Sequence, residues 1–157
     1  MSKVLFVCLG NICRSPLAEG IFRQMVIEQG LQDQISCDSC GTAAYHIGSQ
    51  PDPRTVANAK ENGLQLNHQA RQFEGADLDR FDLILVMDQS NLGNVRVFEE
   101  YQRSESKVEL MRTYDPESPG SDVPDPYYGG DQGFQNVFDI LFRSCGQLLV
   151  EIKKETI

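Results

Sequence analysis

The four residues from Val4 to Val7 are all apolar, without the polar alternation of a strand that has one face in water. An uninterrupted apolar run of this length predicts a strand buried on both faces. A second run of the same kind covers residues 83–87, and segments with the apolar spacing of helices follow both runs. Strands that alternate with helices form a parallel sheet covered on both faces, so the sequence predicts an α/β fold.

Local signals place the other elements. Ser15 as N-cap and Pro16 at the first helical position predict a helix that ends near Gly30. We also expect a short strand over residues 35–39, helices over 53–62 and 90–101, a weak strand over 108–110 and a long final helix from residue 134. Residues 114–133 are rich in Pro, Gly, Asp and Ser and are expected to form a long loop, of a length that is usually functional.

Size and charge narrow the class of protein. A chain of 157 residues fits one domain, here residues 1–157. Its net charge of −9 argues against nucleic acid and against a membrane surface as partners. Neither apolar run approaches the ~20 residues that span a bilayer. Five cysteines cannot all pair, which favours a reducing compartment, and we expect a cytoplasmic monomer.

The segment after the first strand has the spacing of an anion site. Five residues separate Cys8 from Arg14, and among them Gly10 and Asn11 tolerate a positive φ. A loop this tight turns its N–H groups inward, and the start of the following helix adds more. The guanidinium of Arg14 can hold two oxygens of a phosphoryl group. The sequence therefore predicts a phosphate-binding loop between the first strand and the first helix.

Cys8 would lie at the centre of this loop. The N–H groups and Arg14 favour its thiolate form, and a thiolate that faces a bound phosphate ester can attack phosphorus. The alternative is a buried core thiol, because free cysteines are often buried. The strand before the loop and the helix after it favour the nucleophile.

Departure of the alcohol from phosphorus requires an acid. The long loop offers Asp115, Asp122 and Asp125. Prolines on both sides of Asp125 restrict its backbone, which favours a fixed carboxylate. Tyr127 and Tyr128 follow and could flank a flat substrate ring. An ordinary Asp-Pro turn explains the same residues equally well from sequence mechanics alone.

Five segments together resemble the low-molecular-weight protein tyrosine phosphatases. They are VCLGNICRSP (7–16), DSCGT (38–42), PDPR (51–54), MDQSN (87–91) and DPYYG (125–129), in family order. The resemblance implies a four-stranded parallel sheet and hydrolysis of phosphotyrosine through a cysteinyl-phosphate. It implies tyrosine-phosphorylated proteins as partners, phosphate and other oxyanions as inhibitors, and neither a metal nor an organic cofactor.

The resemblance also implies roles for single residues. Cys8 is the nucleophile, Arg14 clamps the phosphoryl group, and Asp125 acts first as general acid and then as general base. The implied phosphate-binding residues are Leu9, Gly10, Asn11, Ile12, Cys13, Arg14 and Ser15. The residues implied to hold the loop in shape are Asn11, Ser15, Ser39 and His68, of which Ser15 bonds the Cys8 sulfur. The implied walls of the substrate cleft are Ile12, Tyr45, Tyr127 and Tyr128.

Three other functions share parts of this pattern. Phosphoarginine phosphatases are similar but carry Thr at the position of Ile12, which favours the tyrosine-directed interpretation. Arsenate reductases of this fold use further cysteines after the third strand, and the chain has none between Cys40 and Cys145. A phosphate-binding module without turnover would not need the nucleophile, the arginine and the acid together.

The remaining cysteines each have two interpretations. Cys13 is either a small packing residue or a thiol that traps oxidised Cys8 as a reversible disulfide. Cys37 and Cys40 have the spacing of a zinc or redox pair, but no second pair exists, so structural thiols are favoured. Cys145 is expected in the core. For His68, a histidine unrelated to the loop is the alternative.

Overall fold

One parallel sheet lies at the centre of the computed structural model, which describes residues 2–103 and 107–156 except for the side chains of Arg103, Tyr128 and Thr156. The strands are β1 (Ser2–Cys8), β2 (Ile35–Gly41), β3 (Leu83–Val86) and β4 (Lys107–Leu110). They lie in the order β2-β1-β3-β4, and all three pairings are parallel. The predicted four-stranded parallel sheet is confirmed.

Helices connect the strands and end the chain. They are α1 (Arg14–Glu28), α2 (Pro53–Glu61), α3 (Asp77–Arg80), α4 (Gln89–Arg96), α5 (Glu100–Arg103) and α6 (Gly130–Thr156). Short 3₁₀ turns cover Met111–Tyr114 and Pro126–Tyr128. Within the described residues, no helix combines the length and the apolar character that crossing a membrane requires.

Two apolar cores lie on opposite faces of the sheet, because successive side chains of a strand point to opposite sides. Val4 and Phe6 belong to the core formed with α1 and α6, whereas Leu5 and Val7 belong to the core formed with α3 and α4. All four side chains are fully buried. Helices therefore cover both faces, and the uninterrupted apolar run of β1 is explained by its central position.

The strand order changes direction at β1, which has β2 on one side and β3 on the other. In open sheets of this kind, ligands bind beyond the carboxyl ends of the strands at such a point. β1 ends at Cys8, and α1 begins at Arg14. The segment between them is therefore held at the position where the topology favours a ligand site.

The prediction of Ser15 as the N-cap of α1 is wrong. The helix begins one residue earlier, at Arg14, and its N-cap is Cys13, which makes no side-chain capping bond. The Ser15 hydroxyl lies instead 2.9 Å from the Cys8 sulfur. Because the turn of the preceding loop fixes the start of the helix, the Ser15 hydroxyl does not cap it and contacts the sulfur instead.

Two other boundaries differ from the prediction. The helix expected over residues 90–101 is interrupted between α4 and α5, where the ring of Phe98 packs at 5.2 Å against Phe73. The segment 114–133 is not loop throughout, because it includes the 3₁₀ turn at Pro126–Tyr128 and the first residues of α6, which begins at Gly130. In both places, a side-chain contact or a turn that the local sequence pattern does not reveal sets the boundary of the element.

Candidate active site

The loop between β1 and α1 turns sharply around Asn11, which has a φ of 58°. Asparagine tolerates this left-handed region better than most residues. Gly41, at the end of β2, lies so close to the loop that a Cβ there would be 2.7 Å from the Leu9 carbonyl oxygen. The loop is thus packed directly on the backbone of the neighbouring strand, and only glycine allows that approach.

The carbonyl oxygens of Cys8, Leu9 and Ile12 face away from the centre of the loop. They accept hydrogen bonds of 2.8–3.0 Å from the backbone N–H groups of Thr42, Ala43 and Asp52. Within the described part of the chain, the N–H groups of Gly10, Ile12, Cys13 and Arg14 donate no hydrogen bond. Such a set of free donors in a tight turn is suited to an anion.

The Cys8 sulfur lies inside this loop, and the residue is only 3% exposed. The Ser15 hydroxyl is 2.9 Å from it, and the Asn11 N–H donates to it over 3.3 Å. Both groups can donate to a thiolate and thereby stabilise its charge. The sulfur is therefore surrounded by hydrogen-bonding groups in a place where an anion could also bind.

Arg14, the first residue of α1, is held on the far side of the site. Its Nη1 donates to Asp88 Oδ2 over 2.7 Å and to the Val123 carbonyl over 3.0 Å. Burial opposes the charge, but the nearby thiolate and the carboxylates of Asp88 and Asp125 outweigh it and raise the pKa of Arg14 above its ordinary value. The guanidinium is thus a permanent cation with a fixed plane.

Asn11 connects the loop to three other segments. Its Nδ2 donates to the hydroxyls of Ser15 and Ser39 over 2.8 and 3.0 Å. Its Oδ1 lies 2.7 Å from His68 Nε2 and accepts the Arg71 N–H over 3.0 Å. All the residues predicted to hold the loop in shape therefore meet in one network, and His68 is part of it.

A second set of side chains lies behind this network. Potential metal ligands of Glu19, Asp38 and His68 come within 4.8 Å of one another. Both carboxylates are already paired, Glu19 with Arg23 over 2.6 Å and Asp38 with Arg71 over 3.1 Å. His68 Nδ1 lies 3.2 Å from Glu19. The cluster is an ion-pair network that supports the loop from below.

Asp125 lies between the two 3₁₀ turns, in the segment that precedes α6. It is the N-cap of the 3₁₀ turn Pro126–Tyr128, where its Oδ1 accepts the Tyr127 N–H over 3.0 Å. The carboxyl group is exposed and lies near enough to raise the pKa of both Arg14 and Cys13. Asp122 instead accepts the N–H of Gln89 at the start of α4.

The residues expected to line a cleft differ in exposure. Ile12 is half-buried within it, and Tyr45 and Tyr127 are 76% and 58% exposed. The Arg54 guanidinium lies 5.0 Å from the centre of the Tyr127 ring. The predicted wall at Tyr128 concerns a side chain outside the described part of the structure. The rings of Tyr45 and Tyr127 are therefore exposed on the surface.

The other cysteines differ in environment. Cys13 is half-buried, and burial raises the pKa of its thiol to about 11. Cys37 and Cys40 contact opposite cores of the sheet, so they cannot hold one ion together. Burial raises the pKa of Cys37 to about 12 and that of Cys40 well above its ordinary value. Cys145 is completely buried, as predicted.

Four residues of the site were not predicted as such. Asp88 had a signal, because it lies in the segment 87–91 that carries part of the resemblance. Arg54 likewise lies in the segment 51–54, whereas Glu19 and Arg71 had no such signal, and their partners Ser39 and Asn11 lie 20 and 60 residues away in sequence. Only the folded chain brings them to the loop.

Known proteins share this architecture along its whole length. The sequence profile of the family "Low molecular weight phosphotyrosine protein phosphatase" matches residues 3–157. The human protein of that name is 42% identical over 148 residues, which cover 94% of this chain and 93% of the human one. The crystal structure of YfkJ from Bacillus subtilis has a TM-score of 0.92 and 41% identity, covering 100% of this chain and 98% of YfkJ.

A further solved structure carries a different substrate in its name. DARP, a Drosophila arginine phosphatase, matches with a TM-score of 0.89 and 33% identity over 96% of this chain and 98% of its own. The chain is therefore similar in fold or sequence both to phosphatases named for tyrosine and to one named for arginine.

Proposed function

The chain belongs to the low molecular weight phosphotyrosine protein phosphatase family, and from this membership we propose that Cys8, Arg14 and Asp125 carry out its reaction through a cysteinyl-phosphate. The activity is hydrolysis of phosphotyrosine, which makes the chain a hydrolase with phosphorylated proteins as substrates. The observation that carries the proposal is the Cys8 sulfur inside the loop, 2.9 Å from the Ser15 hydroxyl and 3.3 Å from the Asn11 N–H.

In the first step, the Cys8 thiolate attacks the phosphorus of the bound ester. The S–P bond forms, the P–O bond to tyrosine breaks, and the phenolate oxygen takes the proton of the Asp125 carboxyl group. Within the described residues, Arg14 uses only Nη1 for Asp88 and the Val123 carbonyl. Its Nε and Nη2 are therefore free to bind phosphoryl oxygens as their charge develops.

In the second step, water attacks the phosphorus of the cysteinyl-phosphate. Asp125, now a carboxylate, takes a proton from this water, the S–P bond breaks, and inorganic phosphate leaves. The sulfur departs as a thiolate, which the Ser15 hydroxyl stabilises from 2.9 Å. The enzyme thereby returns to its starting state, with Cys8 as a thiolate and a proton on Asp125 that is available for the next turnover.

The preference for phosphotyrosine follows from the depth of the site. Cys8 is only 3% exposed, whereas Tyr45 and Tyr127 are exposed on the surface. A phosphotyrosine side chain is long enough to reach the sulfur while its ring contacts these aromatics. Phosphoserine is shorter and has no ring. Inorganic phosphate and other oxyanions fit the loop without the ring and would inhibit.

Phosphate release from matched phosphotyrosine, phosphoserine and phosphoarginine peptides tests the proposal, with Cys8→Ser as the blank. We expect release from phosphotyrosine only, abolished in Cys8→Ser. Ile12, at the position where phosphoarginine phosphatases carry Thr, supports the expectation for phosphotyrosine. Faster release from phosphoarginine would contradict the proposed substrate but not the assignment of Cys8 as nucleophile. Release that persists in Cys8→Ser would contradict that assignment.

The acid is tested by a matched pair of variants. Asp125→Ala removes the carboxylate next to the site, whereas Asp122→Ala removes one that bonds the Gln89 N–H at the start of α4. A positioned general acid contributes about 10²- to 10⁴-fold to the rate, so we expect a loss of this size in kcat/KM for Asp125→Ala. A larger loss in Asp122→Ala would move the role to that residue.

The setting of the enzyme forms part of the same proposal. We take residues 1–157 as one domain that acts in the cytoplasm as a monomer, on proteins rather than on nucleic acid or membranes. The net charge of −9 and the odd number of cysteines support this setting. Cys13 is proposed to trap oxidised Cys8 as a disulfide, since both belong to the same short loop.

A further inference from the structure

Arg54 lies between the phosphate-binding loop and the segment of the general acid. Its Nε and Nη2 donate to the two carboxylate oxygens of Asp52 over 3.1 and 3.0 Å, which fixes the plane of the guanidinium. The Asp52 N–H donates in turn to the Ile12 carbonyl of the loop over 2.8 Å. One end of Arg54 is therefore tied to the loop through a short and rigid connection.

The flat faces of the same guanidinium contact two aromatic rings. The central carbon of Arg54 lies 4.9 Å from the centre of the Phe134 ring and 5.0 Å from that of Tyr127. Phe134 is 4% exposed and belongs to α6, so its position is set by packing, whereas Tyr127 is 58% exposed. Arg54 thus connects an exposed ring to a fixed one by two cation–π contacts.

The position of Tyr127 also determines that of Asp125. The Tyr127 N–H donates to Asp125 Oδ1 over 3.0 Å across the 3₁₀ turn. Prolines 124 and 126 restrict the backbone on both sides of the aspartate, so the turn moves as a unit. A displacement of Tyr127 that shifts its backbone N–H is therefore transmitted to the carboxyl group.

We propose that Arg54 is a positioning residue for the general acid: it holds the Tyr127 ring and thereby keeps the Asp125 carboxyl group at the leaving oxygen. The inference rests on the proposed function, which makes Asp125 the acid. Within the described residues, Arg54 bonds Asp52 and stacks on two rings, and it makes no hydrogen bond to Cys8. Its loss affects proton transfer to the leaving group and leaves the phosphate-binding loop, which Asp52 still bonds through its own N–H, in place.

The leaving group provides a readout that distinguishes this role from a structural one. p-Nitrophenolate is a stable anion that departs with little help, whereas the phenolate of tyrosine, with a pKa of ~10, requires the proton. A general loss of structure lowers kcat/KM for both esters equally. Misplacement of the acid lowers it more for phosphotyrosine, because only that ester depends on the proton.

The experiment compares Arg54→Met with Arg96→Met as the matched control. Arg96 is an exposed arginine at the far end of α4 that also contacts an aromatic residue, Tyr101. We expect Arg54→Met to lower kcat/KM for phosphotyrosine about tenfold more than for p-nitrophenyl phosphate, a fraction of the full contribution of a general acid. The inhibition constant of inorganic phosphate should stay unchanged, and Arg96→Met should resemble the wild type throughout.

A double variant and a second substitution complete the test. In an Asp125→Asn background, Arg54→Met should add no further discrimination between the two esters. Should Arg54→Met not fold, Arg54→Lys carries the same comparison, because lysine keeps the charge but lacks the planar face. Equal losses on both esters, or a parallel loss of phosphate inhibition, would overturn the role of Arg54.

The failure of this inference is separable from that of the proposed function. If Asp125→Asn itself treats both esters alike, the acid has been assigned wrongly. If Asp125→Asn discriminates between the esters and neither Arg54 variant does so, the acid stands and the positioning role of Arg54 is refuted.

Discussion

Replacing Asn11 with alanine should destabilise the protein more than any other single change in the loop. The side chain is 1% exposed and takes part in four hydrogen bonds, two through Nδ2 and two through Oδ1. Its backbone has a φ of 58°. Alanine removes all four bonds, leaves the Ser15 and Ser39 hydroxyls buried without them, and places an ordinary side chain in the left-handed region.

The expected loss can be worked from these contacts. A hydrogen bond contributes about 1 kcal/mol net, so four bonds amount to about 4 kcal/mol before the surroundings relax. A left-handed backbone costs alanine about 1 kcal/mol more. We expect Asn11→Ala to lower the free energy of unfolding by about 3–5 kcal/mol, which is a large part of the stability of an ordinary domain.

Urea unfolding of two variants separates the two contributions. Asn11→Gly loses the same hydrogen bonds but accepts the positive φ, so it should be more stable than Asn11→Ala by about 0.5–1 kcal/mol. Asn94→Ala is the matched control, because Asn94 is exposed and its only described side-chain bond, to Thr42, is 3.5 Å long. We expect that control to change stability by less than about 0.5 kcal/mol.

The reasoning fails on either of two results. A loss below about 1 kcal/mol for Asn11→Ala would mean that the four bonds are replaced by water or by rearrangement of their partners. A glycine variant that is less stable than the alanine variant would mean that the backbone at this position is not strained for alanine.

Three further predictions concern the loop, a buried carboxylate and oxidation. Gly41→Ala puts a methyl group 2.7 Å from a loop carbonyl oxygen and should lower kcat/KM about 100-fold, whereas Gly93→Ala, in open space on α4, should leave activity unchanged. Although burial opposes ionisation, hydrogen bonds from two arginines and a backbone N–H hold the pKa of Asp115 below its ordinary value. That stabilisation is complete above pH ~4, the ordinary pKa, and is lost as the pH falls through the lower pKa of the folded state. Urea unfolding should therefore show Asp115→Asn to be less stable than the wild type by about 2 kcal/mol at pH 7 and by less at pH 3. Because burial raises the pKa of Cys13 to about 11, its disulfide with peroxide-oxidised Cys8 should form faster at pH 9 than at pH 7, as followed by mass spectrometry.

Each of these expectations has a clear contrary result. Normal activity of Gly41→Ala would mean that the loop shifts without consequence. A destabilisation of Asp115→Asn that is equal at pH 3 and pH 7 would exclude the carboxylate charge as its cause. After peroxide, equal recovery of the wild type and of Cys13→Ser on thiol treatment would show that Cys13 does not trap the oxidised nucleophile.

Local physical signals account for the correct part of the sequence-based prediction. The run from Val4 to Val7 required burial on both faces, and the structure places it in the centre of the sheet. The tight loop required a residue that accepts a positive φ, and Asn11 provides it. Burial and backbone conformation at these positions follow from the residues themselves, so the sequence was sufficient.

Boundaries failed where a side chain had a better partner elsewhere. Serine is a residue type favoured at N-caps, but the Ser15 hydroxyl bonds the Cys8 sulfur and accepts a hydrogen bond from the Asn11 side chain instead. The helix expected over residues 90–101 is broken where Phe98 turns to pack against Phe73. In both places a contact from another segment outweighs the local preference.

The sequence by itself determined the sheet and the loop that Cys8 and Arg14 flank, because apolar runs, turn residues and short spacings act over a few residues, whereas the roles proposed for nucleophile, arginine and acid came from the resemblance. Only the tertiary structure decided how that loop is held. Arg14 pairs with Asp88, which is 74 residues away, and Arg54 stacks against Tyr127 across a similar separation. Hydrogen bonds and ion pairs need their partners within a few ångströms, and the order of the strands decides which distant residues come that close.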